Sequence, residues 1–368
     1  MKIVHKLKTG VVGGTETHAL TLSLAQREAG HDVAVLVFAQ RGAISDLMEA
    51  KGLPVYYADS KSECDFRGAL RARKILKQLE PDVIHSHGME WVSFLTTGHL
   101  HTARVNTAHC YPAVAAKSGL FRKGLSLLNR WCLRFTDGYI AVTEDVRIKY
   151  AERKLFHYCP WKVIHNGIDL KKFVPDEGFS LPAKESGQPI ELLMVGRMES
   201  EKHPHDAIRT LALLRDRHGL DARLTFCGDG SVVPRCEELA KELGVAESVT
   251  FAGRCANVEE YMRRSHGLFL LSDVETFAQA ALEAIATGCP VFAYRIPGGF
   301  QEWFKDEGSG GVISDQRTPE SLAKTIMPVL SDPKRWTQMR IDAIRTAQDF
   351  SATVMAEKTI AFYQELLS

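Results

Sequence analysis

The feature that most constrains this chain is a repeated alternation of two periodicities. Short runs of β-branched and aliphatic residues, such as 32–38 with Val33, Val35 and Val37, are each followed by a longer stretch that is apolar on one side. The first unit starts with a strand at Ile3 and Val4. A glycine-rich turn from Gly10 to Gly14 leads into a helix over 15–29, with Leu20 and Leu24 on its apolar side, and Gly30 ends it. Strand, crossover helix and strand, repeated, build a parallel sheet covered by helices.

Further strands are predicted at 55–58, 82–85, 104–108 and 138–142, and helices at 65–79, 90–101, 119–135 and 144–155. A second series begins at Ile190. Its strands are predicted at 191–195, 223–227, 249–251, 267–271 and 290–294, and its helices at 205–218, 233–243, 258–264 and 277–287. Small helices follow around 300 and over 320–330, and a last helix over 351–366. Between the two series, Gly167, Pro175, Gly178, Pro182, Gly187 and Pro189 read as a linker. The expected division is 1–165, a linker over 166–189, a second domain over 190–348, and a terminal helix over 349–368 that returns to the first domain. A chain of 368 residues suits two such α/β domains.

Charge narrows the classes of partner. Lys and Arg total 46 against 45 Asp and Glu, which argues against a chain-wide nucleic-acid surface. The 8 cysteines form no CxxC pair and are read as reduced, mostly buried side chains of a cytoplasmic protein. No secretory segment follows Met1, and no run of about 18 apolar residues is present. Over 117–135, Lys117, Arg122, Lys123, Arg130 and Arg134 mingle with Leu120, Phe121, Leu125, Leu128 and Trp131. That stretch reads as a packed helix with a basic side, or as a peripheral contact with a membrane or a lipid-linked anion.

Candidate chemistry gathers after the predicted strands. Arg197 and Lys202 follow Val195-Gly196, and offer a planar guanidinium fork and a mobile point charge suited to a diphosphate. Glu275, Phe277, Ala278 and Glu283 surround a predicted helix start. With Glu275 just before the helix and Glu283 two turns in, the carboxylates would stand about 12 Å apart, suited to two points of an extended ligand. Gly13-Gly14 and Gly228-Asp229-Gly230 are glycine turns after strands that can approach an anion. His109 ends a predicted strand, and His85 and His87 end another. A metal is not expected, because no third ligand has recognisable spacing.

Taken in order, Gly13-Gly14-Thr15-Glu16, His109, Val163 to Asp169, Gly196-Arg197, Glu201-Lys202, Gly228-Asp229-Gly230, Glu275 to Glu283, Gly288-Cys289-Pro290 and Gly298-Gly299 resemble the retaining two-domain glycosyltransferases of family 4. The resemblance covers nearly the whole chain. It implies the GT-B fold, two facing Rossmann-like domains with the substrates in a cleft between them. It implies transfer of a sugar from a nucleotide diphosphate sugar, UDP-linked by family prevalence, to a hydroxyl of a glycan or lipid-linked acceptor of the cell surface. It implies that no metal or other cofactor takes part.

Residue by residue, it assigns the donor diphosphate to Arg197 and Lys202, the ribose to Glu283, and the sugar to Glu275 and His109. Gly14, Gly228, Phe277 and Ala278 line the donor's path. The family commonly has Glu-Gly-Phe-Gly where this chain has Glu275-Thr276-Phe277-Ala278, which bears on the choice of sugar. Two rival readings share the fold: a nucleotide-sugar epimerase, and a non-catalytic nucleotide-sugar-binding protein.

Overall fold

The computed structural model describes residues 1–62, 65–88, 96–97, 100–112, 135–152, 159–183 and 186–368. They form two compact units, one of Met1–Gly167 with Ala352–Ser368, the other of Ile168–Ser351.

In the first unit, β1 (Lys2–Leu7), α1 (Gly14–Glu28), β2 (Asp32–Val37), α2 (Ala43–Ala50), β3 (Val55–Tyr57) and α3 (Phe66–Leu79) alternate. Next come β4 (Val83–Ser86), β5 (Ala103–Ala108), β6 (Gly138–Ala141), α4 (Glu144–Glu152) and β7 (Trp161–Val163). The strands form one parallel sheet in the order β3-β2-β1-β4-β5-β6-β7. Burial on both faces explains the near-continuous apolar runs: all of Val33 to Val37 is buried. Asp65 caps α3, its carboxylate accepting from the amides of Arg67 and Gly68.

The second unit repeats the plan. It contains β8 (Ile190–Val195), α5 (Pro204–Asp216), β9 (Ala222–Cys227), α6 (Val233–Glu242), β10 (Val249–Phe251), α7 (Val258–Arg263) and β11 (Gly267–Leu270). Then follow α8 (Gln279–Ala286), β12 (Val291–Tyr294), α9 (Phe300–Trp303), β13 (Gly311–Ser314), α10 (Pro319–Leu330) and α11 (Pro333–Gln348). The parallel sheet runs β10-β9-β8-β11-β12-β13. The stretch read as a linker is grouped from Ile168 onward with this unit: Phe173 and Leu181 are buried, and the Phe179 ring lies 4.6 Å from that of His266.

The last helix, α12 (Ala352–Leu367), belongs to the first unit and packs against α1. Met355, Ala356, Phe362 and Tyr363 join one core with Ile3, Leu22, Val105 and Ile140. Gly138 permits that approach. A Cβ there would stand 2.7 Å from both Leu366 and Phe362.

Several elements depart from the sequence expectation. α2, β7, β13 and α11 were not expected. The helix expected at 277–287 starts at Gln279, because Ala278 takes a left-handed conformation (φ 65°). The helices expected at 90–101 and 119–135 fall largely outside the described residues, as does the basic and apolar stretch 117–135. Among the described residues, no helix is long and apolar enough to cross a membrane.

Candidate active site

In each unit the candidate residues gather where the strand order reverses. In an open parallel sheet, successive connections leave opposite ways at that point and open a crevice beyond the strand ends. The reversal falls between β1 and β4 in the first unit and between β8 and β11 in the second.

In the first unit, the turn after β1 carries Gly13 as the extended N-cap of α1. Thr9 Oγ1 donates to Glu16 Oε1 at 3.0 Å and ties the turn to the helix. A Cβ on Gly13 would stand 2.5 Å from Glu16 Oε2, whereas one on Gly14 would meet nothing within 4 Å. Gly14 therefore borders open space. α1 also carries His18, whose ring centroid lies 4.7 Å from that of His109 beyond β5. His87 follows β4 and contacts both rings. His5 is in register with His85 on the neighbouring strand. Burial pushes the His5 and His109 imidazoles down to about 4, and holds His18, His85 and His87 well below the usual range. All five rings are therefore neutral near pH 7.

In the second unit, Arg197 leaves the end of β8 with its side chain 70% exposed and pairs with Glu201 at 2.9 Å. Lys202 ends a short 3₁₀ turn, Ser200–Lys202. Its Nζ donates to Glu275 Oε1 at 2.6 Å, and Ser272 Oγ donates to the same oxygen at 2.7 Å. The two strand-end loops are laced together by main chain, with Asp273 N donating to the Glu201 carbonyl at 2.8 Å. His203 and Arg317 both hold Asp273. Gly228 lets the β9 turn touch the β8 turn, since a Cβ there would overlap the Gly196 oxygen at 1.7 Å.

Glu275 leads to α8 through Phe277 and Ala278. Phe277 is buried, and its carbonyl accepts from Trp303 Nε1 at 2.9 Å. Because α8 starts at Gln279, Glu283 lies about one turn into it, correcting the two-turn spacing expected from sequence. Burial raises the Glu283 carboxyl to about 7, against the lowering pull of Lys172 and a hydrogen bond with Gln279. Such a group is poised to exchange a proton, or to take hydroxyl donors as a carboxylate.

Comparisons with known proteins bear on the fold and the family. Residues 180–347 match the family Glycosyl transferases group 1, and residues 12–172 match Glycosyltransferase Family 4. The chain is a GT-B-fold glycosyltransferase related to these families. It is 29% identical over 388 residues to a glycogen synthase of Mycobacterium tuberculosis, covering 96% of this chain and 91% of that one. It is 28% identical over 403 residues to a D-inositol 3-phosphate glycosyltransferase of Kineococcus radiotolerans, covering 97% and 91%. Its fold matches that of Anabaena HepE solved with UDP, at TM-score 0.83 and 19% identity over 99% of this chain and 100% of that one.

The glycosyltransferase thus brings Lys202 together with Glu275, sets Arg197 beside Glu201, and clusters His109 with four other histidines. Sequence reasoning named His85 and His87 and missed His5, His18, Lys172 and Ser272. Only the strand register reveals His5 as a neighbour of His85. Nitrogen atoms of His5, His85 and His87, and of His18, His87 and His109, lie within 4.8 Å of one another. A third histidine, which spacing could not supply, does stand beside the pair, but His87 is hydrogen-bonded to His5 and His109, and His85 to Tyr363 and Thr107.

Proposed function

We propose that the glycosyltransferase moves a sugar, with retention at the anomeric carbon, from a UDP-linked donor to a hydroxyl of a glycan or lipid-linked acceptor. The contact between Lys202 and Glu275 carries the reading. A cation suited to a leaving diphosphate and a carboxylate suited to a sugar hydroxyl stand on adjoining strand-end loops, with no glycosidase-type use of two carboxylates required. UDP and UDP-glucose are bound in the HepE structures of similar fold, which supports the choice of nucleotide.

In this reading the second unit takes the donor and the first takes the acceptor. Arg197 and Lys202 stabilise negative charge as it grows on the departing diphosphate. Fixed cations help most where charge develops, so they favour the transition state over the ground state. Glu283, as a carboxylate, receives the ribose hydroxyls, while Gly228, Phe277 and Ala278 shape the donor's path. Glu275 holds a hydroxyl of the sugar, and His109 acts beside the reaction centre near Gly14. The leaving phosphate takes the acceptor's proton as the new bond forms on the face it vacates. A cytoplasmic setting rests on the 8 cysteines without a CxxC pair, and a peripheral membrane contact on the basic and apolar residues of 117–135.

The test is calorimetry with UDP-glucose, UDP-N-acetylglucosamine and GDP-mannose, followed by mass spectrometry with glycan and lipid-linked acceptors. Binding of a UDP-sugar, and transfer lost in Arg197→Ala, Lys202→Ala and His109→Ala, is expected. Preference for a guanine nucleotide, or unchanged transfer in all three variants, would overturn the proposal.

A further inference from the structure

Four side chains of the first unit form one hydrogen-bonded series. Gln26 Oε1 lies 2.7 Å from His5 Nε2, His5 Nδ1 lies 3.0 Å from His87 Nε2, and His87 Nδ1 lies 3.0 Å from His109 Nε2. His5 and Gln26 are fully buried, and His87 is 4% exposed. A neutral imidazole has one N–H and one lone pair. Each ring that bonds on both sides must therefore donate on one and accept on the other. The series has only two internally consistent directions, and whatever fixes one end fixes the other.

Gln26 is the end that can fix it. Its carbonyl oxygen only accepts, so His5 Nε2 carries the proton and His5 Nδ1 accepts from His87 Nε2–H. His87 Nδ1 then accepts from His109 Nε2–H, which makes Nδ1 the acceptor nitrogen of His109. The amide's other end is held by the terminal helix: Gln26 Nε2 donates to Tyr363 Oη at 3.3 Å. The Tyr363 hydroxyl spends its proton on His85 Nδ1 at 2.5 Å, and His85 Nε2 donates to Thr107 Oγ1 at 2.6 Å. Each ring N–H of the scheme and the phenol proton meet an acceptor. A reversed amide would need a phenol-to-carbonyl hydrogen bond of 3.3 Å, longer than the usual 2.7–2.8 Å or so, whereas an amide N–H spans it more readily.

We propose that Gln26 is a positioning residue of the transfer reaction: acting through His5 and His87, it holds His109 as its Nε2–H tautomer, with Nδ1 as the acceptor nitrogen of that ring. The proposal rests on the assignment of His109 to the reaction. Burial keeps the rings neutral, which is the condition for tautomers to matter. A metal bound at the same histidines would have to break these bonds, because His87 uses both nitrogens within the series.

The experiment uses the full chain labelled with ¹⁵N-histidine at pH 7.5, where long-range ¹H–¹⁵N correlations identify the protonated nitrogen of each ring. His109 and His87 are expected as Nε2–H tautomers. Gln26→Leu is expected to mix the His109 tautomers and to lower kcat for UDP release from UDP-glucose about tenfold, with KM within about twofold. Gln26→Glu, which keeps an acceptor for His5 Nε2, is expected to restore the tautomer and most of kcat. If Gln26→Leu fails to fold, Tyr363→Phe removes the contact that orients the amide and is expected to mix the tautomers likewise.

His109 found as Nδ1–H or as imidazolium in the unmodified protein overturns the proposal. So does a His109 tautomer unchanged in a folded Gln26→Leu protein, or added zinc binding stoichiometrically and replacing the ring–ring bonds. His109→Ala separates the underlying assumption: transfer that survives it, beside the expected spectrum, removes His109 from catalysis while leaving the tautomer series intact.

Discussion

Lys202 and Glu275 are 73 positions apart in sequence, yet the ammonium and carboxylate meet at 2.6 Å. Both side chains are largely shielded from solvent, at 24% and 15% exposure. The pair joins the loop after β8 to the loop after β11. An arriving diphosphate would compete with Glu275 for Lys202, which ties donor binding to the position of Glu275. Lys202→Ala is expected to weaken UDP binding and to lower turnover by a factor of roughly 10² or more, the scale of losing one charged stabiliser of a leaving group. Glu275→Gln preserves shape and is expected to lower turnover with a smaller change in UDP affinity. Calorimetry with UDP and single-turnover kinetics separate the two. Equal loss of UDP affinity in both variants would contradict distinct roles.

Glu283 gives the glycosyltransferase a pH signature. Burial raises its carboxyl from the ordinary 4.5 to about 7 in the folded state. The folded state therefore binds a proton that the unfolded chain has lost between those values. Stability from this group is complete below about 4.5, falls as pH rises towards 7, and is gone above it. Allowing for its partial exposure, the swing is on the order of 2 kcal/mol. Glu283→Gln is expected to flatten this part of the stability curve, measured by urea unfolding between pH 5 and 8. With the proposed ribose contact, donor affinity should run the other way and rise through pH 7, because that contact needs the carboxylate form. An affinity that falls over this range would remove Glu283 from the ribose.

Much of this architecture is written locally. The alternating valines of β2 and the glycine turn before α1 show a parallel α/β unit, because both faces of the sheet are buried. Arg197, Lys202, Glu275 and Glu283 are legible as candidates because strand ends collect ligands whatever the sequence between them. α11 is not legible in the same way. Its inward face includes Arg340, which is only 7% exposed and donates to the carbonyls of Thr287 and Gly288, whereas an arginine in a polar segment reads from sequence as a surface residue. The histidine cluster hides for a different reason. His5, His18, Gln26 and Tyr363 come from a strand, one helix and the far terminus, and no spacing in the sequence encodes their meeting.

Gly228 tests how tightly the donor loops are built. The atom nearest an added Cβ is the Gly196 carbonyl oxygen, a main-chain group that cannot swing aside. Gly228→Ala must therefore push the β9 turn away from the β8 turn, and Arg197 leaves from that second turn. A cost of about 1–3 kcal/mol is expected from such overpacking, together with weaker UDP binding. Thermal unfolding and calorimetry read the two effects. Gly14→Ala is the contrast, because its Cβ enters open space and should leave stability within about 0.5 kcal/mol. Loss of turnover there, without loss of stability, would mark the space before Gly14 as occupied by substrate.

The five clustered histidines make the first unit the acid-sensitive part of the molecule. Each ring has a folded-state pKa below the ordinary 6.5, with burial as the leading cause. Their contribution is complete above about 6.5 and is lost as pH falls towards 4, where the unfolded chain binds protons that the folded rings refuse. Because His5 sits in β1 and His85 in β4, protonation strikes the centre of the sheet. The second unit holds His266, also lowered to about 4, and the less strongly lowered His205, but there Glu283 gains stability as the pH drops. Between pH 7 and 4.5 the amides of β1 and β4 should therefore lose protection from hydrogen exchange before those of β8 and β11 do. Exchange mass spectrometry resolves the two sets, with rates corrected for the intrinsic effect of pH. Loss of protection in both units at the same pH, or first in the second unit, would show that the cluster does not govern acid unfolding.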